Sequence, residues 1–446
     1  MPRVRRVTPP PIRRRARAGV AAMLLVLAAC GPANPPGSTA PSALAPSASP
    51  TGLASQGPSA PAGSPDASAD AAIYQQIEAQ VREIRGLPQK EPVTPTIISP
   101  DQMAQIVRGQ VTTETPPEQL GAYERLYHAM GILPKTDKLA EVFGDLLSSQ
   151  VGGLYVPEDK KLYVVSKAGG LGPLEKFLFS HEYTHALQDQ TFDLRAFQAG
   201  APADQSDRQL ARQSVYEGDA YTTMTLWLQK DAPGDMGAIL AGANDPAAQA
   251  ALARIPPLIS AQIVFAALQG TVWIFGLEAQ GGYDAVNDAF RHPPESTEQV
   301  LHPDKWLSRE PPIDVQLPSD LVSGLGTGWS KGLEDTFGEH QLGVWITAAA
   351  PLGGLPEPPP DSAAGWGGDR MALYDGPNGS WAIVFKTVWD TAKDAAEFET
   401  GIAPRVAAAA GPGKVLPGEG GAVRWIVIGS DDAVLGKVAG LLGLAG

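Results

Sequence analysis

The chain has 446 residues, 43% of them hydrophobic, with 34 basic and 48 acidic side chains, a formal charge of −14 and a single cysteine. That length allows two domains, or one large domain with an appendage. The acidic balance argues against nucleic acid and anionic lipid headgroups as partners of the surface, and one cysteine excludes an intrachain disulfide.

Residues 1–30 read as a targeting segment. Arg3, Arg5, Arg6, Arg13, Arg14, Arg15 and Arg17 form a basic start, Gly19 to Ala29 is a short apolar run, and Cys30 follows Leu27-Ala-Ala. This resembles a bacterial lipobox, which implies that Cys30 becomes a lipid-modified N-terminus and anchors the protein to the cell membrane, facing the extracytoplasmic side. The run is well short of the ~20 residues a membrane span needs. Without those seven arginines, 27 basic residues face 48 acidic ones, a formal −21, which favours solubility outside the cell. Residues 31–70 are mostly Pro, Ala, Ser, Gly and Thr, the composition of a flexible tether.

Folded sequence begins near Ala71, where Ile73, Ile77, Val81 and Ile84 fit one helical face that stops at Gly86 and Pro88. Further helices are expected at about 100–113, 116–130 and 136–149. The period then changes: Gly153-Leu-Tyr-Val156 and Lys161-Leu-Tyr-Val-Val165 are short β-favouring runs joined by Pro157-Glu-Asp-Lys160, a predicted hairpin whose edge could pair with an extended peptide.

Directly after this hairpin stands His181-Glu-Tyr-Thr-His-Ala-Leu-Gln-Asp-Gln190. On a helix, positions i and i+4 lie one above the other, so His181 and His185 can aim ring nitrogens at one point. Zinc accepts such imidazoles in a roughly tetrahedral site with three protein ligands and one open position. Glu182 is then placed to take a proton from the attacking water as general base. Pro173 suits the first turn of the helix, and Leu174, Phe177, Leu178, His181, His185 and Gln188 recur at helical spacing, which predicts a half-buried site rooted in an apolar stripe. The longer HExxHxxGxxH arrangement is excluded, because Thr191 stands where its last histidine would be. The best third ligand lies in the helical segment Gln209 to Lys230, within Ser214-Val-Tyr-Glu-Gly-Asp-Ala220. Glu217 sits there beside Gly218 and Ala220, whose small side chains would let this helix approach the motif helix closely. Asp219 is a weaker candidate, as a hydrogen-bond acceptor behind the ligands.

HEYTHALQDQ followed by a helix bearing EGDA resembles the gluzincin group of zinc metallopeptidases, and more closely a set of bacterial secreted or lipid-anchored predicted peptidases. The likeness is strong over Val151 to Ala220. It implies Zn2+ held by His181, His185 and Glu217, with Glu182 as general base and a peptide or protein as substrate. It extends to Pro293–Pro303 and to Gly365–Arg370 with Trp389-Asp390, stretches for which it implies no chemistry. No motif identifies the Tyr or His with which gluzincins often stabilise the tetrahedral intermediate; His302 is the first guess and Tyr221 the second.

Ile263 to Leu277 is very apolar, but Gln262 and Gln269 interrupt it and it is too short to span a membrane, so a buried helix is expected. Ser296 or Thr297 can cap a short helix to about Leu301, which would make Glu298 and His302 cleft-lining candidates. Glu334 to Thr347 suggests another amphipathic helix, and Pro351 to Pro360 a boundary. Beyond it, Met371–Tyr374, Ser380–Trp389 and Val423–Gly429 alternate like strands, while 391–410 and 431–442 suggest helices, with Asp390 an N-cap. The expectation is an α+β protein: a mainly helical zincin-like catalytic domain over 71–350 with a small hairpin or sheet, and a small α+β unit over 361–446. The function expected is that of a lipid-anchored zinc metallopeptidase; the alternative is a binding or envelope lipoprotein that keeps a metal-stabilised or relic fold.

Overall fold

The computed structural model describes residues 67–114, 116–142, 152–165, 171–243, 255–347 and 361–444. Cys30, the leader, nearly all of the tether, and residues 143–149 of the helix expected at 136–149 lie outside them. The protein is α+β and mainly helical, with two separate sheets.

The smaller sheet contains β1 (Pro95–Ile98), β2 (Gly153–Val156) and β3 (Lys161–Val165) in the order β1-β3-β2. The hairpin β2–β3 is antiparallel with Tyr155 opposite Leu162. Lys160 closes its turn at φ 55°. Strand β1 is a difference from the expectation. Four residues beginning with a proline carry no readable alternation, and the strand exists because it pairs in parallel with β3, Pro95 opposite Leu162. β3 is thereby the centre of the sheet and β2 an edge.

The motif helix, Pro173–Phe192, starts with Pro173 in its first turn and ends at Asp193, which adopts φ 56° and caps the following short helix by accepting from the Ala196 amide at 3.1 Å. It is more enclosed than its stripe suggested. Every side chain from Phe177 to Asp189 is buried. The first helix (Ala67–Arg85), β2 and β3, the helix Met236–Ala243 and the long helix Ser206–Asp231 surround it, and Tyr74, Ile77, Val81, Phe177, Phe179, Tyr183, Met224 and Trp227 share one core.

The helix Ser206–Asp231 supplies Glu217 and is called here the ligand helix. Its closest neighbour at Gly218 is not the motif helix. A Cβ on Gly218 would stand 2.3 Å from the carbonyl carbon of Gly270, and one on Gly270 would stand 2.5 Å from the carbonyl oxygen of Ser214. Two glycines therefore let this helix cross the apolar run Pro257–Arg291 backbone to backbone. That run is long and apolar enough to cross a membrane by composition, yet 61% of its most apolar window is buried in the fold. A π-helical turn, Phe265–Gln269, leads into the crossing, and the Thr271 hydroxyl donates to the Ala267 carbonyl at 2.5 Å.

The larger sheet is antiparallel, in the order β4-β5-β6-β8-β7: β4 (Ser330–Asp335), β5 (Trp366–Asp375), β6 (Trp381–Trp389), β7 (Gly413–Pro417) and β8 (Val423–Gly429). Helices Ala392–Ala407 and Asp432–Leu441 pack on it. Three expectations are corrected here. Glu334 and Asp335 end a strand rather than begin a helix, which runs only over Gly338–Thr347. Because β4 pairs with β5, the C-terminal sheet begins about thirty residues before position 361. Asp390 is not an N-cap; Thr391 is, its hydroxyl accepting from the Asp394 amide at 3.2 Å.

Candidate metal centre

His181 and His185 rise from one face of the motif helix, and Glu217 descends from the ligand helix against them. All three are buried, and their ligand-type atoms lie within 4.8 Å of one another. The two Nε2 atoms are 3.0 Å apart with the rings perpendicular. Glu217 Oε2 stands 3.4 Å from His181 Nε2 and 3.7 Å from His185 Nε2. Two ligands bound at about 2.0–2.1 Å to a tetrahedral ion stand roughly 3.3 Å apart. The observed separations bracket that value. Two neutral nitrogens and one carboxylate oxygen converging on a point are a donor set that suits zinc, and burial keeps the nitrogens neutral: it lowers His181 to about 3, and it lowers His185 to about 4 with help from the neighbouring His181.

Glu182 lies beside this triad with its two oxygens in different situations. Oε2 accepts from the backbone N–H of Tyr155 on β2 at 2.8 Å. Oε1 is buried with no hydrogen-bond partner among the described residues. Burial first, and then the charge of Glu217, push its pKa up to about 8, partly offset by the Tyr155 amide. Gly153 makes this approach possible, since a Cβ there would stand 2.8 Å from Glu182 Cγ. Val165 N–H bonds Gly152 C=O at 2.9 Å, so Gly152, Leu154 and Val156 turn their backbone groups toward β3, while Gly153 and Tyr155 turn theirs outward.

The rest of the ten-residue stretch is fastened residue by residue. Tyr183 accepts from Arg82 of the first helix at 2.8 Å. The Thr184 hydroxyl donates to Ser180 C=O at 2.8 Å. Gln188 holds His185 and reaches Asp219, and Asp189 accepts from the Tyr155 hydroxyl at 2.7 Å and from Lys160 at 2.5 Å. Gln190 accepts from the amides of Lys90 and Glu91 at 2.7 and 3.0 Å. The stretch thus carries both histidines of the triad and is the fixing point of the first helix and the hairpin.

Asp219 is fully buried, its carboxylate paired with Arg85 at 2.6 Å and accepting from Gln188 at 2.8 Å, behind His185 rather than in the triad. Tyr221 packs edge-on to the His181 ring with centroids 4.6 Å apart. His302 is not among the groups that converge on the triad. Its Nε2 bonds Glu339 Oε1 at 2.9 Å, which raises its pKa, and the neighbouring Glu298 is held by Lys305 at 2.6 Å. Both belong to a joint with the C-terminal unit: Lys305 also bonds Asp390 at 2.8 Å, and Ser296, not Thr297, caps their short helix. Sequence reasoning missed Arg85 and Tyr155, which touch the site only through the tertiary fold. The link from Gln188 to His185 was within reach, because residues three apart on a helix are neighbours.

The stretches at Pro293–Pro303 and Gly365–Arg370, for which the resemblance implied no chemistry, form the same joint. Thr297 donates its amide (3.2 Å) and hydroxyl (2.5 Å) to Asp207 in the first turn of the ligand helix. Asp369 accepts from the amides of Phe337 (2.9 Å) and Gly338 (2.7 Å) and from the Trp366 indole (2.9 Å). Arg370 ties Glu334 to Asp204.

Among known protein families, one described as a domain of unknown function (DUF8575) matches residues 330–436. The match runs from β4 into the first half of the last helix and does not include the triad. No curated protein and no solved structure matches the chain.

Proposed function

We propose that this protein is a lipid-anchored, extracytoplasmic zinc metallopeptidase that hydrolyses peptide bonds, with His181, His185 and Glu217 as the metal ligands and Glu182 as the general base. The observation that carries the reading is the buried convergence of those three ligands from two helices, with a fourth buried carboxylate beside them. Zinc bound there would act as a Lewis acid toward a carbonyl and lower the pKa of water. Glu182 is held by Tyr155 N–H through Oε2, and this leaves Oε1 to receive a proton from the attacking water and pass it to the leaving amine. Its raised pKa suits the second of these steps, and a nearby cation would lower it toward the first. The outward N–H and C=O of Gly153 and the C=O of Tyr155, whose N–H is taken by Glu182, lie on edge strand β2 and can hold an extended peptide by strand addition, which points to an unfolded or loop segment as substrate. Tyr221 is the better placed of the two oxyanion candidates. Anchoring through Cys30 rests on the sequence resemblance and is tested by fatty-acid labelling lost in Cys30→Ala.

The deciding experiment is metal content and peptide hydrolysis of the wild type beside His181→Ala, Glu217→Ala and Glu182→Gln. About one zinc per chain, lost in the first two and kept in the third while hydrolysis is lost, is the expected result. Zinc without turnover in the wild type turns the reading to a metal-stabilised binding lipoprotein, and no zinc even after reconstitution overturns it.

A further inference from the structure

Resting on the reading that His181, His185 and Glu217 hold a metal, we infer that Gln188, Asp219 and Arg85 are positioning residues that decide which nitrogen of His185 can bind it. The side-chain amide of Gln188 has two N–H donors and one acceptor oxygen. Its Nε2 faces two acceptors, Tyr216 C=O at 3.0 Å and Asp219 Oδ2 at 2.8 Å. Both donors are thereby spent, and the oxygen is left toward His185 Nδ1 at 2.9 Å. Turning the amide over would set its oxygen against a carbonyl and a carboxylate and its NH2 against the ring. A neutral imidazole carries one N–H, and an acceptor at Nδ1 draws it there, which leaves the lone pair on Nε2, the atom that faces His181 and Glu217.

Asp219 Oδ2 fixes the amide only if the carboxylate is itself held in place, in a site with no exposed surface. Arg85 holds it. Its Nε lies 2.6 Å from Asp219 Oδ1 and 2.8 Å from Oδ2, its Nη2 donates to Asn287 at 2.8 Å, and its guanidinium lies over the Tyr283 ring at 4.7 Å. Arg85 is the last residue of the first helix. A helix nearly a hundred residues ahead of the motif is therefore part of the metal centre, through the chain Arg85, Asp219, Gln188, His185. His181 has no such device: its Nδ1 has no partner among the described residues. The two histidines are thus unequal, one preset and one not.

The test uses the full chain with its six histidines 15N-labelled. Ring NMR of the metal-free wild type reads the tautomer of each histidine, and competition with a chromogenic chelator reads zinc affinity. His185 is expected to carry its proton on Nδ1. Asp219→Asn, Gln188→Met and Arg85→Met are expected to populate both tautomers and to weaken zinc binding about 10- to 100-fold, while Arg85→Lys keeps the charge and stays within a few-fold of wild type. A purely structural role would not move the tautomer in variants that keep the wild-type circular dichroism. A wild-type His185 protonated on Nε2, or evenly mixed, overturns the inference whether or not the variants fold, as does a folded Asp219→Asn with unchanged tautomer and affinity. A wild type that binds zinc with a mixed tautomer sinks only the positioning. A wild type that binds no zinc sinks the metal reading beneath it.

Discussion

The ligand helix buries three carboxylates, Asp207, Glu217 and Asp219, and the first two, ten residues apart, stand in contrasting surroundings. Asp207, in its first turn, receives an amide and a hydroxyl from Thr297 and is packed against Gly338, where a Cβ would collide with its side chain. Asp369 nearby is satisfied by three N–H donors. Glu217, roughly 15 Å further along the axis, faces two imidazole nitrogens at 3.4 and 3.7 Å, and its neighbour Glu182 has one oxygen with no partner among the described residues. An unsatisfied buried polar group costs about 1–3 kcal/mol, more when charged. The joint thus satisfies its carboxylates with N–H and O–H donors, whereas beside the triad Glu182 Oε1 is buried with no hydrogen-bond partner among the described residues.

The strongest way to break this contrast is Glu182→Gln, which keeps size and leaves the triad untouched. Hydrolysis should fall by about 10²- to 10⁴-fold with zinc content and thermal midpoint unchanged. Retained activity would take Glu182 out of the mechanism. Next comes a paired measurement of unfolding free energy. Asp207→Ala should cost about 2–4 kcal/mol by stranding the Thr297 amide and hydroxyl, whereas Glu217→Gln should lose zinc yet leave the metal-free chain at least as stable as wild type. Equal destabilisation by both would erase the distinction between joint and site.

The crossing beneath Glu217 gives a third test. Gly218→Ala puts a methyl group into the Gly270 backbone, so a stability loss of about 1–3 kcal/mol with weakened zinc binding is expected, and a neutral effect would mean that the helices can part without moving Glu217. Smaller effects come from pH. In the metal-free protein, ring NMR should show His185 titrating near 4 and His181 near 3, with His302 shifted upward by Glu339. A buried imidazole kept neutral costs stability below about pH 6.5, where the unfolded chain takes the proton and the folded one does not. The contribution of these two histidines is therefore complete above that pH and declines as pH falls toward their folded values. Titration of His185 near 6.5 would show a wet, open site. Last, His302→Ala should leave kcat/KM within about threefold of wild type, because its partner is Glu339 rather than the triad.

Local periodicity and short-range chemistry carried much of this molecule in the sequence. The i, i+4 histidines, Pro173 at a helix start, the β-favouring runs of β2 and β3 about a turn, and strand β8 at Val423–Gly429 all follow from interactions within a few residues, and so does the mainly helical α+β class. Glu217 was legible as a candidate because the HExxH motif upstream calls for a third ligand and Glu217 stands beside the small residues Gly218 and Ala220, but which surface Gly218 serves was not. Strand β1, β4 and the pairing of β4 with β5 depend on partners far along the chain. Arg85 had no signal of its own, since the C-terminal turn of an amphipathic helix is an ordinary place for an arginine. Tyr155 acts through its backbone amide, which every residue but proline possesses. Which side chains could bind a metal was readable before folding, because ligand chemistry and helical spacing are local properties. Which of them meet, which nitrogen faces the others and how each buried carboxylate is held come from packing between distant segments, because burial and hydrogen-bond satisfaction belong to the folded chain as a whole.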